Sequence, residues 1–158
     1  MVYRVFSQAS PDDEAGEARL VQTARAHFAA ALSVRTRHIR GDATPARREQ
    51  LTVTLAQKTR TSDHTVTRRA ATEDDWRAAD EAEVRGRAGG MATLARRCRW
   101  LWEIEANDAP AGVPASDEQA TLTLCAIVAA TELGPVLPPN GDTLYGVRGA
   151  RERAERLA

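Results

Sequence analysis

The chain has 158 residues, is 42% hydrophobic but only 4% aromatic, and its 22 basic and 22 acidic side chains leave a formal net charge of zero. That length fits one domain with a real core, and the balanced charge excludes a simple polybasic protein. Two cysteines, Cys98 and Cys125, exclude a disulfide-dense scaffold and read as buried free thiols in a reducing compartment.

Alanine, leucine, arginine and glutamate dominate, which favours helix over strand. Met1 to Phe6, MVYRVF, alternates as a short strand does but shows no certain partner, so residues 1–9 read as an N-terminal strand or arm. Residues 10–158 read as one helical domain. Its parts are a basic half over 10–71, central helices over 72–134, and a C-terminal turn and short helix over 135–158. Ser10-Pro11 followed by acids predicts a helix start. Leu20, Ala24, Phe28, Ala31, Leu32 and Ile39 then share one face at helical spacing, extending that helix to about Arg40. Arg35 falls on its apolar stripe, where it needs a partner.

Thr44-Pro45 predicts a second helix start. In its continuation, EQLTVTLAQ, Leu51, Val53 and Leu55 alternate with threonines, so residues 50–56 are open between helix, which the start signal favours, and strand. A short helix is predicted from Ser62. Thr72 should cap the next helix, with Glu73, Asp74 and Asp75 complementing its dipole. Gly89-Gly90 should break it, and Met91, Leu94, Ala95, Cys98, Leu101 and Trp102 form one stripe of a helix from Met91 to Glu105. A loop over Asn107 to Ala115 precedes a Ser116 cap. The apolar run ATLTLCAIVAATEL that follows is 14 residues long and carries Glu132, so it reads as a core helix ending at Gly134-Pro135. A last helix, about Val147 to Leu157, has an inward stripe of Val147, Ala150, Ala154 and Leu157 and a Glu152–Arg156 pair. The expected fold is therefore all-α, a compact bundle of five to six helices. With no secretion signal and no membrane span in view, the expected location is the cytoplasm.

Catalytic motifs are missing. His27, His38 and His64 are widely spaced, neither cysteine has a neighbour at metal-knuckle spacing, and there is no phosphate loop or nucleophile elbow. Acid pairs such as Asp74/Asp75 read as helix-start charge. No enzyme, metal, cofactor or small-molecule substrate is inferred.

Charge placement carries more information. All basic residues except Lys58 are arginines, a usage that a GC-rich genome alone would produce. The segregation is a different matter. Arg35 to Arg69 holds nine basic residues and three acids, Glu73 to Glu83 six acids and one arginine, and Arg85 to Arg99 five arginines and no acid. Two basic blocks facing one way could hold a polyanion, whereas an acidic helix lying between them could neutralise both. Trp100 among Arg96, Arg97 and Arg99 suggests stacking on a base or clamping of a backbone.

The stretch LAQKTRTSDHTVTRRA, Leu55 to Ala70, resembles the helix-turn-helix of bacterial repressors. Ala56 matches the small residue at the helix crossing, Ser62 the recognition-helix cap, and Thr65 to Arg68 its core. The resemblance implies that Ser62, His64, Thr65 and Arg68 face DNA. Arg60 stands where a turn glycine is expected, and Arg69 where an apolar residue is expected. In size, helical composition and charge distribution the chain also resembles the small non-catalytic subunits of CRISPR effector complexes. That likeness implies backbone contacts to RNA or DNA within a ribonucleoprotein assembly.

The resulting expectation is a non-enzymatic nucleic-acid-binding protein that associates with other subunits or with itself. Its predicted contacts are Arg35, Arg37, Arg40, Arg47, Arg48, Lys58, Arg60, His64, Arg68, Arg69, Arg96, Arg97, Arg99 and Trp100. The alternatives are a helix-turn-helix regulator and a pure protein-interaction module.

Overall fold

A computed structural model describes residues 1–9, 15–40, 48–58, 60–106 and 118–157, with the side chains of 36–40 and 106 outside that description. In chain order the elements are β1 (Val2–Ser7), α1 (Gly16–Phe28), β2 (Ala30–Arg40), β3 (Arg48–Gln57), β4 (Arg60–Ala70), α2 (Glu73–Gly86), α3 (Met91–Arg97), β5 (Trp100–Ala106), α4 (Glu118–Glu132), β6 (Val136–Leu137) and α5 (Val147–Arg156). The strands form one six-stranded antiparallel sheet in the order β2-β3-β4-β5-β1-β6. The expectation of an all-α bundle is thus overturned. The fold is mixed α/β, and of the strand and arm readings of the N-terminus the strand holds, with β1 paired on both sides.

The error in each segment has a local cause. After Phe28 the backbone turns left-handed at Ala29, with φ 50°, and α1 stops. Beyond that point Ala30 and Leu32 are buried while Ala31, Ser33 and Arg35 are exposed, the two-residue period of a strand. Leu32 also fitted the helical stripe, and twelve further residues were read as helix on that ambiguity. Residues 50–56 settle as strand. Lys58, at φ 50°, supplies the turn that folds β4 back on β3 in continuous register from Gln57↔Arg60 to Arg48↔Arg69. Residues 55–70 therefore form a hairpin, with no recognition helix. The stripe from Met91 breaks at Cys98, and Trp100 to Ala106 is strand, in keeping with the sheet preference of tryptophan and isoleucine.

Other expectations hold. Thr72 caps α2 through a capping box: the Asp75 amide donates to Thr72 Oγ1 at 3.4 Å, and the Thr72 amide donates to Asp75 Oδ2 at 2.8 Å. The α2–α3 break falls at Arg87 to Gly90, where Gly90 takes φ 87°. The apolar helix α4 is buried on nearly every side, and α5 spans the predicted segment. The starts inferred at Ser10-Pro11, Thr44-Pro45 and Ser116 and the loop from Asn107 lie outside the described residues. No helix among the described residues is long and apolar enough to cross a membrane.

Alternation divides the sheet into two unlike faces. On one, Tyr3, Val5, Leu32, Leu51, Val53, Leu55, Val66, Trp102 and Ile104 pack against α1, α4 and α5 in the larger core. On the other, α2 and α3 cover only the end formed by β5, β1 and β6. There Phe6, Leu101 and Leu137 meet Ala79, Ala82, Ala92, Ala95 and Cys98. The alanines let these two helices lie close to the strands, and Trp76 locks them by donating its indole N–H to the carbonyls of Ala95 and Cys98 at 3.1 and 3.2 Å. Both cysteines are buried free thiols, and burial pushes Cys98 up to about 11.

Candidate nucleic-acid interface

Over β2, β3 and β4 the second face has no described helix above it. Apart from Ala31 and Ala56 near the hairpin end, its strand positions are polar: Ser33 and Arg35 on β2, Arg48, Gln50, Thr52 and Thr54 on β3, and Asp63, Thr65, Thr67 and Arg69 on β4. Cross-strand register aligns them in rows, with Arg35 beside Thr52 and Thr65, and Arg40 beside Arg48 and Arg69. Pairing of β4 with β5 then places Arg69 beside Leu101, and the Ala71 amide donates to the Arg99 carbonyl at 2.9 Å. The two basic blocks of the sequence therefore meet at one end of one face.

Their charges are spent unequally. Arg69 makes a bidentate pair with Asp75, at 2.6 and 2.9 Å, and donates Nε to Glu103 at 2.7 Å. The hydrogen bonds it donates to Asp75 hold its guanidinium firmly charged. Burial works to raise the Asp75 pKa, but hydrogen bonds from Arg69 and Thr72 outweigh it and hold the carboxyl below the usual range. Arg4, 3.9 Å from Asp75, adds a weaker attraction. Arg69 thus fixes the capped start of α2 to the sheet, and this internal neutralisation removes it from the surface expected to face phosphates. Arg96 is likewise held by Asp80 and by Glu73, the latter at 3.7 Å.

Two more candidates belong to the opposite, helix-covered face. Arg68 pairs with buried Glu49 and lies over the Trp102 ring, 5.1 Å from its centroid, closing the rim of the large core. His64 is fully buried and shares a 2.9 Å hydrogen bond with Ser62 through Nε2, while Nδ1 has no partner. Burial lowers its pKa to about 4 against a small opposing effect of Asp63, so the ring is neutral. Trp100 is buried too, with 9% exposure, which leaves little of its ring open to a base. In a strand it shares a face with Trp102, whereas on a helix residues two apart would point to different sides.

The remaining candidates separate by position. Lys58 and Arg60 sit at the hairpin turn, about 30 Å along the strands from Arg48 at ~3.3 Å per residue. Arg37 and Arg40 lie on β2, with their side chains outside the description, and Arg47 is outside it altogether. Arg35, Arg48, Arg97 and Arg99 are exposed and engage no carboxylate among the described residues. They are the cations that remain available. The threonine rows around them escaped the functional reading, although the alternation of Thr52 and Thr54 with leucine and valine was their visible signal. Comparison with protein-family models, curated protein sequences and solved structures found no match.

Proposed function

We propose that this is a non-enzymatic protein that contacts nucleic-acid backbone, without reading sequence, through the polar face of β2–β4. The observation that carries the proposal is that exposed arginines from both basic blocks lie on or beside that face, Arg35 and Arg48 on β2 and β3 and Arg99 next to the end of β4. The half-buried Thr67 hydroxyl on the same face suits a phosphate oxygen. Asp63, Glu105 and the acids of α2 bound the surface, so the contact is a strip rather than a general polyanion sink. The likeness to CRISPR small subunits loses its helical support and retains only size and charge, so the proposal names no assembly.

Fluorescence anisotropy with a labelled 20-nucleotide single strand and a duplex tests this. Binding should weaken steeply with salt, with a log–log slope of about −0.7 per single-strand phosphate contact. Arg48→Ala and Arg35→Ala should each flatten that slope by about one contact while changing stability by less than about 0.5 kcal/mol. No binding at low salt, by the chain alone or in its native assembly, would sink the proposal.

The free outer edge of β2 favours a second reading, strand addition by a protein partner. Among the described residues β2 pairs only with β3. Arginines along that edge oppose indiscriminate pairing, so such a partner would need an acidic strand. Co-purification of protein without nucleic acid distinguishes the two readings.

A further inference from the structure

A concave site lies away from the polar strip, on the helix-covered side of the sheet. It is a cleft of about 430 Å³ between β1, the start of α4, the segment after β6, and α5. This size is ordinary for a small-ligand site. Its polar groups converge from elements that the fold holds rigidly. Tyr145 is fixed by a two-way backbone bridge to Val136, at 2.7 and 3.1 Å. Its ring packs against Gly149 of α5, where a Cβ would come within 2.7 Å of the Tyr145 Cβ. Arg153 lies over the same ring, 4.0 Å from the centroid, and donates Nη1 to the Gly149 carbonyl at 3.2 Å.

These groups are positioned but not satisfied. Tyr145 is 7% exposed and lines the cleft, yet among the described residues its hydroxyl makes no hydrogen bond. Burial pushes its pKa up to about 12, against the pull of Arg153, so at neutral pH the hydroxyl is a donor. Four of the five N–H groups of Arg153 remain after its bond to Gly149. Arg156, also lining the cleft, is exposed and pairs with no carboxylate among the described residues. Across the cleft Tyr3 donates to Glu118 Oε1 at 3.0 Å, which makes that wall anionic. Leu122 and Pro138 supply the apolar lining between the walls.

We infer that this cleft binds a small monocarboxylate with an apolar body. The carboxylate would sit between Arg153, Arg156 and the Tyr145 hydroxyl, and the body against Leu122 and Pro138. A cationic wall with a buried donor stabilises one carboxylate through charge-assisted hydrogen bonds. Glu118 opposite repels a second one, so a dicarboxylate of the same length is disfavoured. A neutral amide in place of the carboxylate forfeits the attraction of both guanidiniums.

Hexanoate, adipate and hexanamide are suitable probes, read by chemical-shift titration of the isotope-labelled full chain. Hexanoate should bind saturably with a Kd of about 1 mM, as expected for a ligand of this size. Adipate and hexanamide should bind at least about fivefold more weakly. Tyr145→Phe and Arg156→Ala, neither of which removes a contact within the fold, should each weaken hexanoate about three- to tenfold with the rest of the spectrum unchanged. Absence of saturable hexanoate binding, equal affinity for hexanamide, or an affinity insensitive to both substitutions overturns the inference. Nucleic-acid affinity plays no part in the readout, so either proposal can fail without the other.

Discussion

The two faces of β3 and β4 come from the same residues taken alternately, yet they do opposite work. Leu51, Val53, Leu55 and Val66 face three helices and are at most 2% exposed. Gln50, Thr54, Thr65 and Thr67, one step along the same strands, face a surface with no described helix over it. A two-residue period lets one segment supply both a core wall and a polar surface. Ionic groups follow the division. Arg68 and Glu49 close the core rim, Arg69 with Asp75 and Glu103 anchors a helix, and only arginines away from these carboxylates remain for a partner. What a charge can do therefore depends on its strand parity more than on the density of its block.

This contrast can be broken most severely on the apolar face. Leu51→Ala should cost about 3 kcal/mol, from lost burial and a residual cavity, read as a lower urea midpoint with an unchanged m-value. The ionic anchor comes next. Asp75→Ala leaves Arg69 with Glu103 alone and removes the reciprocal cap of α2, so a loss of about 3 kcal/mol at pH 7 is expected. Because the folded-state pKa of Asp75 is depressed, its contribution is present in full above the unfolded value and disappears as pH falls below about 4. Wild type and variant should therefore converge in stability under acid. Equal stability at pH 7 would show that the anchor is incidental.

His64 sharpens the comparison in a different pH window. Its folded pKa of about 4 lies below the ordinary 6.5, so the unfolded chain binds the proton first and stability falls as pH drops from 6.5 toward 4. Between pH 7 and 5 this should remove about 2 kcal/mol. Replacement by leucine should abolish that slope, and denaturation at the two pH values measures it. The smallest effect belongs to the polar face. Thr52 is buried at 2% exposure with Oγ1 unpartnered, so Thr52→Val should change stability by under about 1 kcal/mol, most simply as a gain. A loss comparable to that of Leu51→Ala would mean that the two faces are not energetically distinct.

Local chemistry was legible wherever one residue type has a single structural use. Thr72 with Asp75 reads as a cap in any fold, Gly89-Gly90 as a break, and the run from Thr121 to Ala129 as a buried helix. Strand segments were misread where two periods fit equally. Leu32 and Ile39 satisfy a helical stripe, while Ala30, Leu32 and Val34 satisfy a strand, and alanine-rich composition tipped the choice toward helix. Of the candidate site, segregation of charge into blocks was visible, but the assignment of each arginine was not. Arg68 and Arg69 are neighbours in sequence yet serve opposite faces. The cleft residues Tyr3, Glu118, Tyr145 and Arg153 are scattered over the chain and carried no signal at all.

Sequence alone thus determined the Thr72 cap, the Gly89-Gly90 break, the core helix and the two basic blocks, because these depend on contacts within a few residues. Tertiary structure alone decided that the middle of the chain is sheet, since strand pairing draws its hydrogen bonds from segments distant in sequence. It also decided which arginines are neutralised, because carboxylates such as Glu49 and Glu103 reach them only across the ladder.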